Sequence, residues 1–260
     1  MRDLAFCPPG SSVVVTGAGR GIGAATATRL AEEGIRVVAC DLDGEAVEAT
    51  CASITDAGGA CVAVKADVTD QRDVEHIAEV AADSDRPVRG LVNNAAVGAF
   101  HMDVESTSLD DWNRIIATNL TSVFLMSKVC IPLIRAAGGG VIVNVSSIHA
   151  YATSPGVAPY AAAKGGVLTL TRTMALDLAP DNIRVMALIP GAVDTPMLRS
   201  HAEREGKTLE ELGFPSSPNA IARIASPEEL AGTISFLISR DATFMTGSAL
   251  IADGGILAKF

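Results

Sequence analysis

With 260 residues, 48% of them apolar and only 4% aromatic, the chain has enough Ala, Val, Leu and Ile for one large core, which excludes a disordered chain. Its 20 basic and 30 acidic residues leave a net charge of −10, and no run of Lys or Arg forms the basic stripe of a nucleic-acid binder. No uninterrupted apolar stretch reaches the ~18 residues of a membrane span, so neither nucleic acid nor membrane is expected as a partner.

The first nine residues, Met1 to Pro9, contain no apolar block of signal-peptide length, and a cytoplasmic location is expected. The cysteines Cys7, Cys40, Cys51, Cys61 and Cys130 include no Cys-x-x-Cys pair. Free thiols in a reducing compartment are therefore expected, with neither disulfide nor metal. The histidines His76, His101, His149 and His201 are too dispersed for a local metal motif.

Apolar runs bounded by turn residues alternate with helical patterns from the start. A strand at Val13-Val14-Val15 ends in a glycine cluster, and helix follows over 21–33. A second strand, Arg36 to Cys40, ends at Asp41 and leads to helix over 43–56. The third, Cys61 to Val64, leads to helix over 70–82, and the fourth, Gly90 to Val92, runs into Asn93-Asn94. A long helix over 108–135 precedes a strand at Val141–Val145 that ends in two serines. Helix over 159–178, strand at Ile183–Ile189, helix over 227–239 and a last strand at Ser248–Ile251 complete the series. Strand and helix in alternation predict right-handed crossovers. The expected fold is α/β: a single doubly wound Rossmann domain over 1–260, with a seven-stranded parallel sheet and helices on both faces. The polar, Pro-containing stretch 193–224 breaks the rhythm and is expected to be a substrate lid.

The first strand-to-helix turn reads Thr16-Gly17-Ala18-Gly19-Arg20-Gly21-Ile22-Gly23. Glycine there permits a tight turn and close approach of a pyrophosphate to a helix N-terminus. Any tight turn would account for the glycines alone. Asp41 adds weight, because an acid ending the second strand, roughly 20 residues on, hydrogen-bonds an adenosine ribose. The same acid repels a 2′-phosphate, so NAD is expected over NADP, with Arg20 as the opposing signal.

Tyr160 and Lys164 stand four apart on one helix, a spacing also common in solvated pairs. Ser147 changes the weighing. It ends a predicted strand, and in a parallel sheet the C-terminal strand ends border the ligand crevice. Ser147, Tyr160 and Lys164 are thus expected to converge there.

Taken in order, these motifs resemble the short-chain dehydrogenase/reductase family over nearly the whole length. The resemblance rests on the glycine turn, Asp67-Val68, Asn93-Asn94-Ala95-Ala96, Asn119, Ser147, Tyr160, Lys164, and Pro190-Gly191-x-Val193-x-Thr195. It implies a dinucleotide held by Gly17, Arg20, Gly21, Ile22, Gly23, Asp41, Asp67, Val68, Asn94, Tyr160, Lys164, Val193 and Thr195. It implies catalysis by Asn119, Ser147, Tyr160 and Lys164, with Tyr160 as acid/base, its phenolate favoured by the Lys164 ammonium. Ser147 is to hold the substrate oxygen, and Asn119 to position a water beside Lys164. It also implies a homo-oligomer, a tetramer built through the long helices. Ala96 departs from the family's Gly and Ala150 from a frequent Gly, which bears on the substrate-facing walls.

The expected function is NAD-dependent hydride transfer between a secondary alcohol and its ketone, with sugars, polyols and hydroxy acids among the open substrates. The alternative is a catalytically silent dinucleotide-binding sensor on the same fold, which has no need of the Asn119–Ser147–Tyr160–Lys164 set. A methyltransferase would not require Tyr-x-x-x-Lys. Trp112 is expected to pack a helix, Tyr151 to line the pocket or pack, and His149 to be exposed or capping.

Overall fold

The computed structural model describes residues 7–82, 85–209, 211, 221 and 223–259. Strands β1 (Ser12–Thr16), β2 (Arg36–Asp41), β3 (Cys61–Lys65), β4 (Val88–Asn93), β5 (Gly140–Val145), β6 (Ile183–Pro190) and β7 (Ala249–Ala252) lie within two residues of their predicted positions. They form one parallel sheet in the order β3-β2-β1-β4-β5-β6-β7. The order reverses between β1 and β4, so the chain parts at their C-terminal ends and leaves a crevice.

Helices α1 (Gly21–Glu32), α2 (Gly44–Asp56), α3 (Gln71–Ala81), α4 (Leu109–Ile116), α5 (Ser122–Ala136), α6 (Ala158–Leu178), α7 (Pro196–Glu205) and α8 (Pro227–Ile238) complete the architecture. Alternation along the buried strands divides the core. Val13 and Val15 face α1, α2 and α8 through Leu30, Ile54 and Ile234. Val14 faces the other layer, where Ile77 of α3, Met126 of α5 and Met174 of α6 pack. The strands are apolar on both faces because both are covered. Asp43 and Asp70 accept backbone N–H groups at the starts of α2 and α3, which fixes where those helices begin.

Three expectations are corrected. The helix over 108–135 is interrupted by a π-helical turn, Ala117–Thr121, between α4 and α5. Its 28-residue run, Leu109–Ala136, has the length and hydropathy to cross a membrane, although the sequence was expected to hold no such stretch. Here Met126, Cys130 and Ile134 are buried against the sheet, which accounts for the apolar character.

The expectation of five free thiols fails as well, because Cys51 and Cys61 form a disulfide with Cα atoms 5.2 Å apart. Gly58 adopts a positive φ of 85° just after α2 and turns the chain straight into β3, bringing these two residues together. Cys7, Cys40 and Cys130 are free and buried.

The stretch expected to be a lid contains α7, a regular helix capped by Thr195 at its start and by Gly206 at φ +62° at its end. Its base is closed where Val193 bridges Ala225. Residues 210, 212–220 and 222 of that stretch lie outside the described residues.

Candidate active site

The C-terminal ends of β1 and β4 are locked together. Thr16 Oγ1 accepts the backbone N–H groups of Asn94 and Ala95, both at 2.9 Å. Asn94 Nδ2 donates to the carbonyls of Thr16 (2.9 Å) and Gly17 (3.1 Å). A Cβ on Gly17 would stand 2.9 Å from Ala95 Cα, and one on Gly23 would stand 2.0 Å from the Gly17 carbonyl oxygen. Only glycine lets the turn close onto both β4 and α1. Arg20 at the N-cap of α1 offers no side-chain hydrogen bond, so the helix presents its free N–H groups to the crevice. That end is built for an anion such as a pyrophosphate.

Asp41 closes one end of the cleft. Its Oδ2 accepts Gly19 N–H at 2.9 Å and its Oδ1 accepts Asp43 N–H at 3.0 Å, which aims the carboxylate along the glycine turn. Arg20 lines the cleft beside it, its guanidinium paired with the Asp43 carboxylate. Ile22, Val193 and Thr195 line the same cleft, and Gly21 approaches Thr195 across it.

At the other end Ser147 follows β5, and α6 brings Tyr160 and Lys164 beside it. Ser146 Oγ donates to the Lys164 carbonyl at 2.8 Å, while Lys164 Nζ donates back to the Val145 carbonyl at 2.9 Å. This reciprocal pair sets the height of α6 on the sheet. Lys164 is buried, and its Nζ lies 5.6 Å from the centre of the half-buried Tyr160 ring. Burial raises the Tyr160 pKa, opposed by a hydrogen bond from Ser147. Burial also draws the Lys164 pKa down to about 8. In the protein alone desolvation is the larger influence on both groups, and it favours the neutral form of each.

Other expected residues sit elsewhere. Asn119 is buried in the π-helical turn, and its side chain grips the protein backbone. Nδ2 donates to Ile115 O (2.9 Å) and Val97 O (3.0 Å), and Oδ1 accepts Val97 N–H (3.3 Å). Its side chain holds the loop after β4. Asp67 and Val68 do not line the cleft. Asp67 Oδ1 accepts from the Thr69 backbone and hydroxyl, because a carboxylate opening a tight turn bonds its own chain first. Gly23 lies behind the turn and acts by being small. Tyr151 points outward at 55% exposure, and Trp112 is 37% exposed. His149, expected to be exposed or capping, lines the cleft and meets the Tyr160 ring edge-on with centroids 5.8 Å apart.

The cleft, about 350 Å³, also takes walls that the sequence did not announce: Phe100, Ile148, Val157 and Leu198. Phe100 stacks on His201 of α7 at 3.9 Å, and His101 pairs with Glu205 at 2.6 Å, so the loop after β4 and α7 meet across the opening. Thr16 was legible only as part of a motif; its threonine-before-glycine position marks the strand end it locks.

A glycine cradle at a bare helix start, with an acid beyond it and a Ser–Tyr–Lys cluster at the far end, defines a dinucleotide-binding oxidoreductase site. The family described as Enoyl-(Acyl carrier protein) reductase matches over residues 17–257. A cyclohexanol dehydrogenase from Acinetobacter sp. (strain SE19) is 36% identical over 95% of this chain and 94% of its own. A 3-ketoacyl-(acyl-carrier-protein) reductase from Brucella melitensis, solved with NADH, superposes with a TM-score of 0.85 at 35% identity, covering 95% of this chain and 98% of its own. A Beutenbergia cavernae protein solved with NADP at low occupancy gives 0.89 at 34% identity, over 97% and 99%. The chain belongs to the short-chain dehydrogenase/reductase family. Its cofactor is a nicotinamide dinucleotide.

The crowding at Gly23 makes a direct test. Gly23→Ala is expected to lower Tm by several degrees and weaken dinucleotide binding at least tenfold, because the methyl forces the turn off α1. Gly232→Ala in α8, where a Cβ meets nothing within 4 Å, should leave binding unchanged and raise stability by about 0.5–1 kcal/mol. Thermal melts and dinucleotide titration measure both.

Proposed function

We propose that the protein oxidises a secondary alcohol to its ketone, and reduces the ketone in reverse, using NAD. The observation that carries this reading is that Ser147, Tyr160 and Lys164 line one cleft, with Lys164 buried and fixed on the Val145 carbonyl. The nicotinamide supplies the hydride acceptor or donor when bound. Ser147 holds the substrate oxygen, and Tyr160 accepts its proton in oxidation or returns it in reduction. Lys164, on the same side of α6, supports the charged phenolate as it forms. Asn119 holds the Val97 loop in place beside the substrate.

The apolar walls favour a ring alcohol. Phe100, Val157, Met197 and Leu198 present carbon surfaces, and the cyclohexanol dehydrogenase relative acts on such a compound by its name. Tyr160→Phe is expected to lower kcat by at least about 10³-fold on cyclohexanol while dinucleotide affinity stays within about twofold, since only the acid/base hydroxyl is lost. Single-turnover kinetics and fluorescence titration separate the two, and substantial residual turnover would move the proton transfer elsewhere.

The preference for NAD rests on Asp41 standing beside the turn while the nearby Arg20 charge is taken up by Asp43. Asp41→Ala is expected to weaken NAD about tenfold and strengthen NADP, because a ribose partner and a repulsive charge disappear together. Equal affinities of the variant and the parent protein for both cofactors would contradict that role.

A further inference from the structure

Around Tyr160 the cleft is walled by Phe100, Ile148, Val157, Met197 and Leu198. Apart from the reacting hydroxyls of Ser147 and Tyr160, the polar side chain standing among them is His149. The charged groups along the described lining are Arg20, Asp41 and Lys164. The first two belong to the glycine-turn end, and Lys164 is fixed on the Val145 carbonyl below Tyr160. No cation therefore faces a substrate carboxylate among these lining residues.

The hydrogen bonds of His149 determine what it offers. Its backbone N–H donates to Ser147 Oγ at 3.2 Å, which ties the start of its turn to the residue that meets the substrate oxygen. Its Nδ1 lies 3.2 Å from Thr153 Oγ1. That contact occupies one ring nitrogen and leaves Nε2 as the other hydrogen-bonding atom of the imidazole. Burial lowers the His149 pKa, which keeps the ring neutral at pH 7. Nε2 of a neutral imidazole donates in one tautomer and accepts in the other, and a hydroxyl group can answer either.

We propose that His149 is a specificity-determining residue whose Nε2 hydrogen-bonds a second hydroxyl of the substrate, so that ring alcohols bearing another hydroxyl are preferred over monofunctional ring alcohols. The inference rests on the alcohol-oxidising reading of the same cleft. A matched polar contact of this kind discriminates more sharply than an apolar wall, because the analogue lacking the hydroxyl leaves the imidazole nitrogen unpaired.

The test compares kcat/KM for cyclohexanol and for cyclohexane-1,2-, 1,3- and 1,4-diol, with NAD and the full chain, in the parent protein, His149→Phe and His149→Gln. The best diol is expected to exceed cyclohexanol by about tenfold in the parent. His149→Phe keeps an aromatic ring beside Tyr160 and should erase that ratio, the best diol falling about tenfold further in kcat/KM than cyclohexanol. His149→Gln, whose amide both donates and accepts, should restore part of it. A parent protein with no diol advantage, or a Phe variant that loses both substrates equally, would overturn the inference while leaving alcohol oxidation intact. Failure of the parent to oxidise cyclohexanol or any diol would instead remove the functional reading beneath it.

Discussion

The site depends on one buried ammonium. Lys164 is 3% exposed and directs Nζ at the Val145 carbonyl, while Ser146 bonds the Lys164 carbonyl in return. These two contacts fix α6 against β5, and with it the position of Tyr160 relative to Ser147. They also remove the ammonium from bulk water, which is unfavourable for a charge and draws the pKa to about 8. Position and proton affinity thus come from the same burial. A lysine at the surface would provide neither.

The opposite end of the crevice follows the same logic with neutral groups. Thr16 and Asn94 join β1 to β4 where the strand order reverses, and the glycines let α1 begin within reach of that junction. Asp41 then receives its orientation from the turn it borders. Rigid strand ends hold both halves, whereas the walls nearest Tyr160 come from the loop after β4, the turn after β5 and α7. Variation in those segments changes the substrate without disturbing the proton-transfer group.

Much of this was legible in the sequence for a physical reason. Buried parallel strands are short apolar runs, and the glycine turn, Asp41, Ser147, Tyr160 and Lys164 all lie at strand ends or one helical turn apart, where spacing encodes position. What escaped depends on contacts between distant segments. Nothing local shows that Phe100 meets His201, or that His149 turns inward while Tyr151, two residues on, turns outward. The Cys51–Cys61 pairing depends on the turn at Gly58, and ten residues of separation match no motif. The grip of the Asn119 amide on the Val97 backbone likewise joins segments 22 residues apart, through the π-helical turn that carries it.

The charge state of Lys164 tests the account most directly. Lysine labelled with ¹³C at Cε, its Lys164 resonance assigned by loss in Lys164→Met, can be titrated by NMR in the protein without added dinucleotide. The account predicts a midpoint near pH 8. A midpoint at the ordinary lysine value of about 10.4 would contradict it, because the ammonium would then be solvated and free of the constraint that places Tyr160.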